Sequence, residues 1–170
     1  MTQTNLNQEP ETTEPSTAES SQATADSLGI TEFSQNIYWV LSDQLPSTEA
    51  LAEAGLSAVI KLTDCKAANY KTPKVARSES VELHTYELPI TEIDDLSQLN
   101  IMRLDELLRR YIAHSKVLIT GDDPELIASS LALRLGWLRG RRIDKCVELA
   151  EQHGVTTMRQ ELFNRLLVPR

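Results

Sequence analysis

The first 60 residues contain no lysine and no arginine, although they carry nine of the 25 acids in this 170-residue chain. The remainder holds 16 acids and 17 bases, so the net charge of −8 belongs mainly to the N-terminal segment. General nucleic-acid affinity needs clustered Lys and Arg to neutralise phosphates, and this distribution excludes it. Cysteine is scarce. Cys65 and Cys146 are the only two, and they form no CxxC pair. That excludes a disulfide framework and a cysteine-based zinc site, and predicts a reducing, cytoplasmic setting. No apolar run reaches the roughly 18–20 residues of a membrane span. The N-terminus lacks the basic and apolar regions of a secretory signal.

Large apolar side chains are nearly absent from residues 1–28, which are rich in Thr, Ser, Glu, Gln, Asn and Pro. Such a stretch cannot bury enough surface to offset its ordering entropy. The expectation is a disordered acidic tail over 1–29 and one folded domain over 30–170.

Within that domain, short apolar runs alternate with helical patterns. Strands are predicted at Ile37–Leu41, Ala58–Leu62, Val81–Leu88 and Lys116–Thr120. Ser47 caps a short helix through Ala54. A helix with proline in its first turn is predicted over Pro73–Glu79. Apolar residues at helical spacing, from Ile101 to Ile112, predict an amphipathic helix over Ser97–His114. Pro124–Leu138 is apolar on nearly every side and reads as a buried helix. Arg141–His153 and Thr156–Leu167 complete the helices. The fold class is α/β, with a mostly parallel sheet of four to five strands flanked by helices.

The segment from Lys116 to Ser130 reads as buried strand, tight turn and buried helix. This is the layout of a phosphate-binding nucleophile loop. Beyond Lys116 it has no Cys, His, Arg or Lys, and Asp122, Asp123 and Glu125 stand where an anion site needs positive potential. The pieces Ser42–Pro46, Leu51–Leu62, His84–Ile90, Val117–Ile119 and Ile143–Gly154 fall in an order and spacing that resemble a known family. It is the small dual-specificity-type protein tyrosine phosphatases, in the branch found beside β-lactamase-like hydrolases in bacteria. The likeness covers roughly residues 36–155.

That resemblance implies a His-Cys pair directly after the strand, with Arg and Ser/Thr in the following turn. The thiolate would attack phosphorus and the guanidinium fork would bind the phosphoryl oxygens. Here the four positions fall on Thr120, Gly121, Ile127 and Ala128. With Asp122, Asp123 and Pro124 they make a degenerate loop. The family's general acid would correspond to Asp94 or Asp95. The reading is therefore a phosphatase fold with no catalytic residues, metal or cofactor. It would act as a binding or regulatory module through protein contacts, with no role at membranes. The alternatives are an enzyme that uses Cys65, Asp94 or Asp95, and a small-ligand sensor. His114 and His153 sit near helix ends, where imidazolium suits the dipole. Arg139, Arg141, Arg142 and Lys145, with Arg134 nearby, form the one basic cluster and are the candidate partner-docking residues.

Overall fold

The computed structural model describes residues 27–78 and 81–169; most of the predicted tail, residues 1–26, lies outside that range. Two strands organise everything else. β3 (Leu56–Leu62) and β6 (Lys116–Gly121) are rich in Val, Ile and Leu and buried on both faces. Strands of that kind belong in the centre of a parallel sheet. β6 pairs in parallel with β3 on one side and with β2 (Ile37–Leu41) on the other. β3 pairs in parallel with β5 (Val81–Leu88). β1 (Thr31–Ser34) and β4 (Lys74–Ser78) close the two edges in antiparallel fashion. The sheet has six strands in the order β1-β2-β6-β3-β5-β4.

The sheet separates two cores. Leu118 faces one of them, with Tyr38, Val40, Val59, Leu83 and Leu51 of α1 (Thr48–Glu53). Val117 and Ile119 face the other and larger core. Helices α2 (Gln98–Tyr111), α3 (Pro124–Leu138), α4 (Ile143–Gln152) and α5 (Arg159–Leu167) cover that side. α3 is buried without interruption from Leu126 to Arg134. Gly136 lets α5 approach it, because a Cβ there would lie 2.4 Å from Leu166 Cδ2.

α2 and α3 are also joined by charge. Asp105 is buried in the seam between them and accepts from Arg134 Nε at 2.8 Å and Arg139 Nη2 at 2.6 Å. Arg109 Nε reaches its other oxygen at 2.9 Å. Burial alone would push the Asp105 carboxyl up. The hydrogen bonds from Arg139 and Arg134 outweigh that and hold it below the usual carboxylate range.

Three expectations need correction. The sheet has one strand more than the upper count, because Thr31–Ser34 forms an edge strand. The predicted helix over Pro73–Glu79 is instead β4, which pairs antiparallel with β5 from Lys74 opposite Thr85 to Ser78 opposite Val81. Its local helix signal was one proline, and the open edge of β5 supplies a full ladder of backbone partners that overrides it. His153 does stand at the C-terminal end of α4, but its ring is not an imidazolium. Its Nδ1 accepts from Trp39 Nε1 at 3.0 Å and its ring lies 4.7 Å from that of Phe33. Burial lowers its pKa, and a neutral ring is what a hydrogen-bond acceptor requires.

Candidate functional site

In open α/β sheets, ligands are placed at the carboxyl ends of the strands. At that end of β6 the chain turns sharply through Asp122 and Asp123 into α3. A cleft of about 50 Å³ opens there, lined by Leu62, Ile90, Thr91, Gly121, Asp122, Asp123, Leu126 and Ile127. No thiol, imidazole, guanidinium or ammonium is among these residues. The degenerate-loop positions Gly121, Asp122, Asp123 and Ile127 meet in this cleft. Thr120 and Ala128 are buried beside it and do not line it.

Each acid of the loop has a structural partner. Asp123 is the N-cap of α3, and its Oδ1 accepts from Glu125 N at 2.9 Å. Pro124 at the first helical position has no N–H to offer. The Ile127 N–H donates to the Asp123 carbonyl at 3.2 Å. A carboxylate of the chain itself thus occupies the positive end of the helix. Asp122 accepts from the Ser42 hydroxyl, which ties the loop to the end of β2. Glu125 reaches away from the cleft. It accepts from Thr156 N at 2.6 Å, Met158 N at 3.0 Å and the Thr157 hydroxyl at 2.5 Å. Burial would raise the Glu125 carboxyl, but these bonds outweigh it and lower its pKa.

Thr120 stands at the position corresponding to histidine in the resemblance. Its Oγ1 is buried and has no hydrogen-bond partner among the described residues. An unpaired buried hydroxyl costs about 1–3 kcal/mol in desolvation. Thr120→Val, which keeps the branched shape, is therefore expected to raise stability by about 1 kcal/mol. Urea unfolding of the two proteins checks this, and a variant less stable than the parent would show that the hydroxyl finds a partner.

The remaining predicted residues do not converge on the cleft. Asp95 Oδ2 accepts from Thr91 N at 2.9 Å, Thr91 Oγ1 at 3.1 Å and Glu92 N at 3.2 Å, so it is a local cap. The side chain of Asp94 is 83% exposed and lies 3.6 Å from Arg165 Nη2. The thiol of Cys65 is half-buried. Burial first, then the charges of Glu87 and Asp64, push its pKa up, which is the wrong direction for a nucleophile.

The basic corner is less free than its sequence implies. Arg134 is buried and Arg139, though exposed, is bound to Asp105. Arg142 pairs with Asp144 at 3.1 Å and Lys145 with Glu148 at 3.1 Å. Among the described residues only Arg141 of this group lacks an ion pair. Sequence reasoning passed over the Ser42–Asp122 and Glu125–Thr157 contacts. They join residues 80 and 32 positions apart, and no local pattern announces them.

The architecture is that of the dual-specificity and tyrosine phosphatases. A structure of human DUSP28 superimposes with a TM-score of 0.52 at 10% identity, covering 81% of this chain and 92% of the other. A mouse putative dual specificity phosphatase, complexed with zinc tungstate, gives 0.53 at 10% identity over 81% and 85% of the two chains. A putative phosphatase from Neisseria meningitidis gives 0.50 at 17% identity, covering 79% and 96%. No family model matches the chain, and no curated protein matches it.

Proposed function

We propose that this chain is a phosphatase-like module without phosphatase chemistry, which acts in the cytoplasm through contacts with other proteins. We assign it to the branch associated with β-lactamase-like hydrolases. The observation that carries this reading is the Asp123 carboxylate at the N-terminus of α3. Phosphoryl transfer by this fold needs a thiolate to attack and a fork of donors to hold the oxygens. The cleft offers neither, and two carboxylates at its mouth repel a dianion. At this cleft, a site for drug-sized ligands is disfavoured by size, since such pockets run to about 300–1,000 Å³.

The test is direct. The full chain incubated with p-nitrophenyl phosphate and phosphopeptides should release phosphate no faster than buffer. Millimolar vanadate should leave the melting temperature and the Gly121 and Asp122 amide resonances unchanged. Turnover above background, or saturable vanadate shifts at Gly121, would sink the proposal and restore an enzyme.

A further inference from the structure

Among the described residues, one guanidinium is sheltered without a counter-charge. The two buried arginines both meet carboxylates: Arg134 meets Asp105, and Arg165 meets Glu161 at 2.9 Å. Arg103 of α2 is half-buried and has no carboxylate within ion-pair distance among the described residues. Its Nη1 donates to a neutral amide oxygen, Asn100 Oδ1, at 3.0 Å. Its Nε is buried with no hydrogen-bond partner among the described residues. The Tyr70 ring holds the guanidinium by a cation–π contact, 5.2 Å from ring centroid to Cζ. Lys71 Nζ stands 5.9 Å from the same centroid and also makes no ion pair among the described residues. Two cations therefore share one aromatic ring, and among the described residues no anion balances them.

The same stretch of α2 carries apolar surface. Leu99 lies one turn before Arg103, and Met102 is adjacent; they are 57% and 54% exposed. Aromatic, arginine and methionine side chains grouped in this way are what protein interfaces enrich.

We propose that Tyr70, Lys71, Leu99, Met102 and Arg103 form a docking surface for an acidic peptide segment of a partner protein. Its carboxylates would meet the free Nη donors of Arg103 and the Lys71 ammonium, and its apolar side chains would cover Leu99 and Met102. The proposal rests on the contact-driven reading above and moves the docking surface away from the basic corner, where most charges are already paired. A peptide fits better than a free phosphate ion because a small dianion would leave Leu99 and Met102 uncovered. Nucleic acid is disfavoured by the net charge of −8.

The experiment uses the full chain and a fluorescein-labelled peptide of alternating Glu and Leu, followed by anisotropy. Saturable binding is expected. It should weaken about tenfold in Arg103→Gln and in Leu99→Ser with Met102→Ser. It should weaken less in Lys71→Ser, stay unchanged in Arg141→Ser with Arg142→Ser, and fall as salt rises. Inorganic phosphate should displace the peptide no better than chloride of equal ionic strength. Lys71 is exposed, so Lys71→Ser keeps the test decisive should Arg103→Gln fold poorly. Absence of saturable binding, parental binding by Lys71→Ser together with any folded Arg103→Gln, or preferential displacement by phosphate would each overturn the proposal. The last outcome would mark a phosphoryl site instead. Failure here with no phosphoester turnover removes only this surface, whereas turnover removes the reading beneath it.

Discussion

Asp105→Asn is expected to destabilise the folded chain by about 3–5 kcal/mol, the usual consequence of removing one partner from a buried ion pair. The substitution keeps shape and volume but removes the charge that Arg134 and Arg139 share. Arg134 then stays in the seam between α2 and α3 with its charge uncompensated. Burial already lowers its pKa, and only the Asp105 carboxylate opposes that effect strongly. The melting temperature should fall by about 10 °C or more. A double variant, Asp105→Leu with Arg134→Met, should recover much of the loss, because well-packed apolar side chains can replace a buried pair at little cost. Urea unfolding of the parent and both variants decides the matter. A loss under about 1 kcal/mol for Asp105→Asn would place the pair in the class of screened surface bridges.

The second large effect is expected at Glu125. Its carboxylate accepts from two backbone amides and two hydroxyls in the turn before α5. Hydrogen bonds to a charged acceptor contribute about 1.5–3 kcal/mol. Glu125→Ala should cost about 2–3 kcal/mol, with faster amide exchange at Thr156 and Met158 as the local signature. Glu125→Gln keeps an oxygen and should lose roughly half as much. Unchanged exchange at both amides in the Ala variant would refute the assignment. The pH dependence has a definite sign. Both Asp105 and Glu125 have folded pKa values below their ordinary ones. Their stabilisation is therefore complete above the unfolded values of about 3.9 and 4.3 and is lost as pH falls through the folded values. Acid unfolding should begin below about pH 5 and should shift least in the Asp105→Leu, Arg134→Met protein.

These two acids mark how far the sequence could be read. Asp105 looks like an ordinary i,i+4 partner of Arg109 on an amphipathic helix. Its role depends on Arg134 and Arg139, 29 and 34 residues away, and only the packing of α2 on α3 brings them together. Glu125 looked like one more negative charge at a site needing positive potential. In the fold it turns outward to cap another segment. The edge strand Lys74–Ser78 was equally hidden, because its ladder is written in β5 and not in its own residues.

Where local chemistry decides, the sequence sufficed. The continuous apolar run Ala58–Leu62 marked a strand that belongs in the centre of a sheet, because both faces of such a strand must be buried. Lys116–Thr120 was legible only as a buried strand, and its place between β2 and β3 came from the fold. Ser47 and Asp123 fixed helix starts, since a side-chain oxygen satisfies an otherwise unpaired N–H. The identity of residues 120–128 alone established that the turn after β6 carries no thiol or guanidinium. Which charges are free was decided by tertiary structure. It bound Arg139 to a buried carboxylate and left Arg103 against Tyr70 without one. Composition gives the number of charges, but pairing energies depend on distance and on the dielectric around each group, and both are properties of the packed chain.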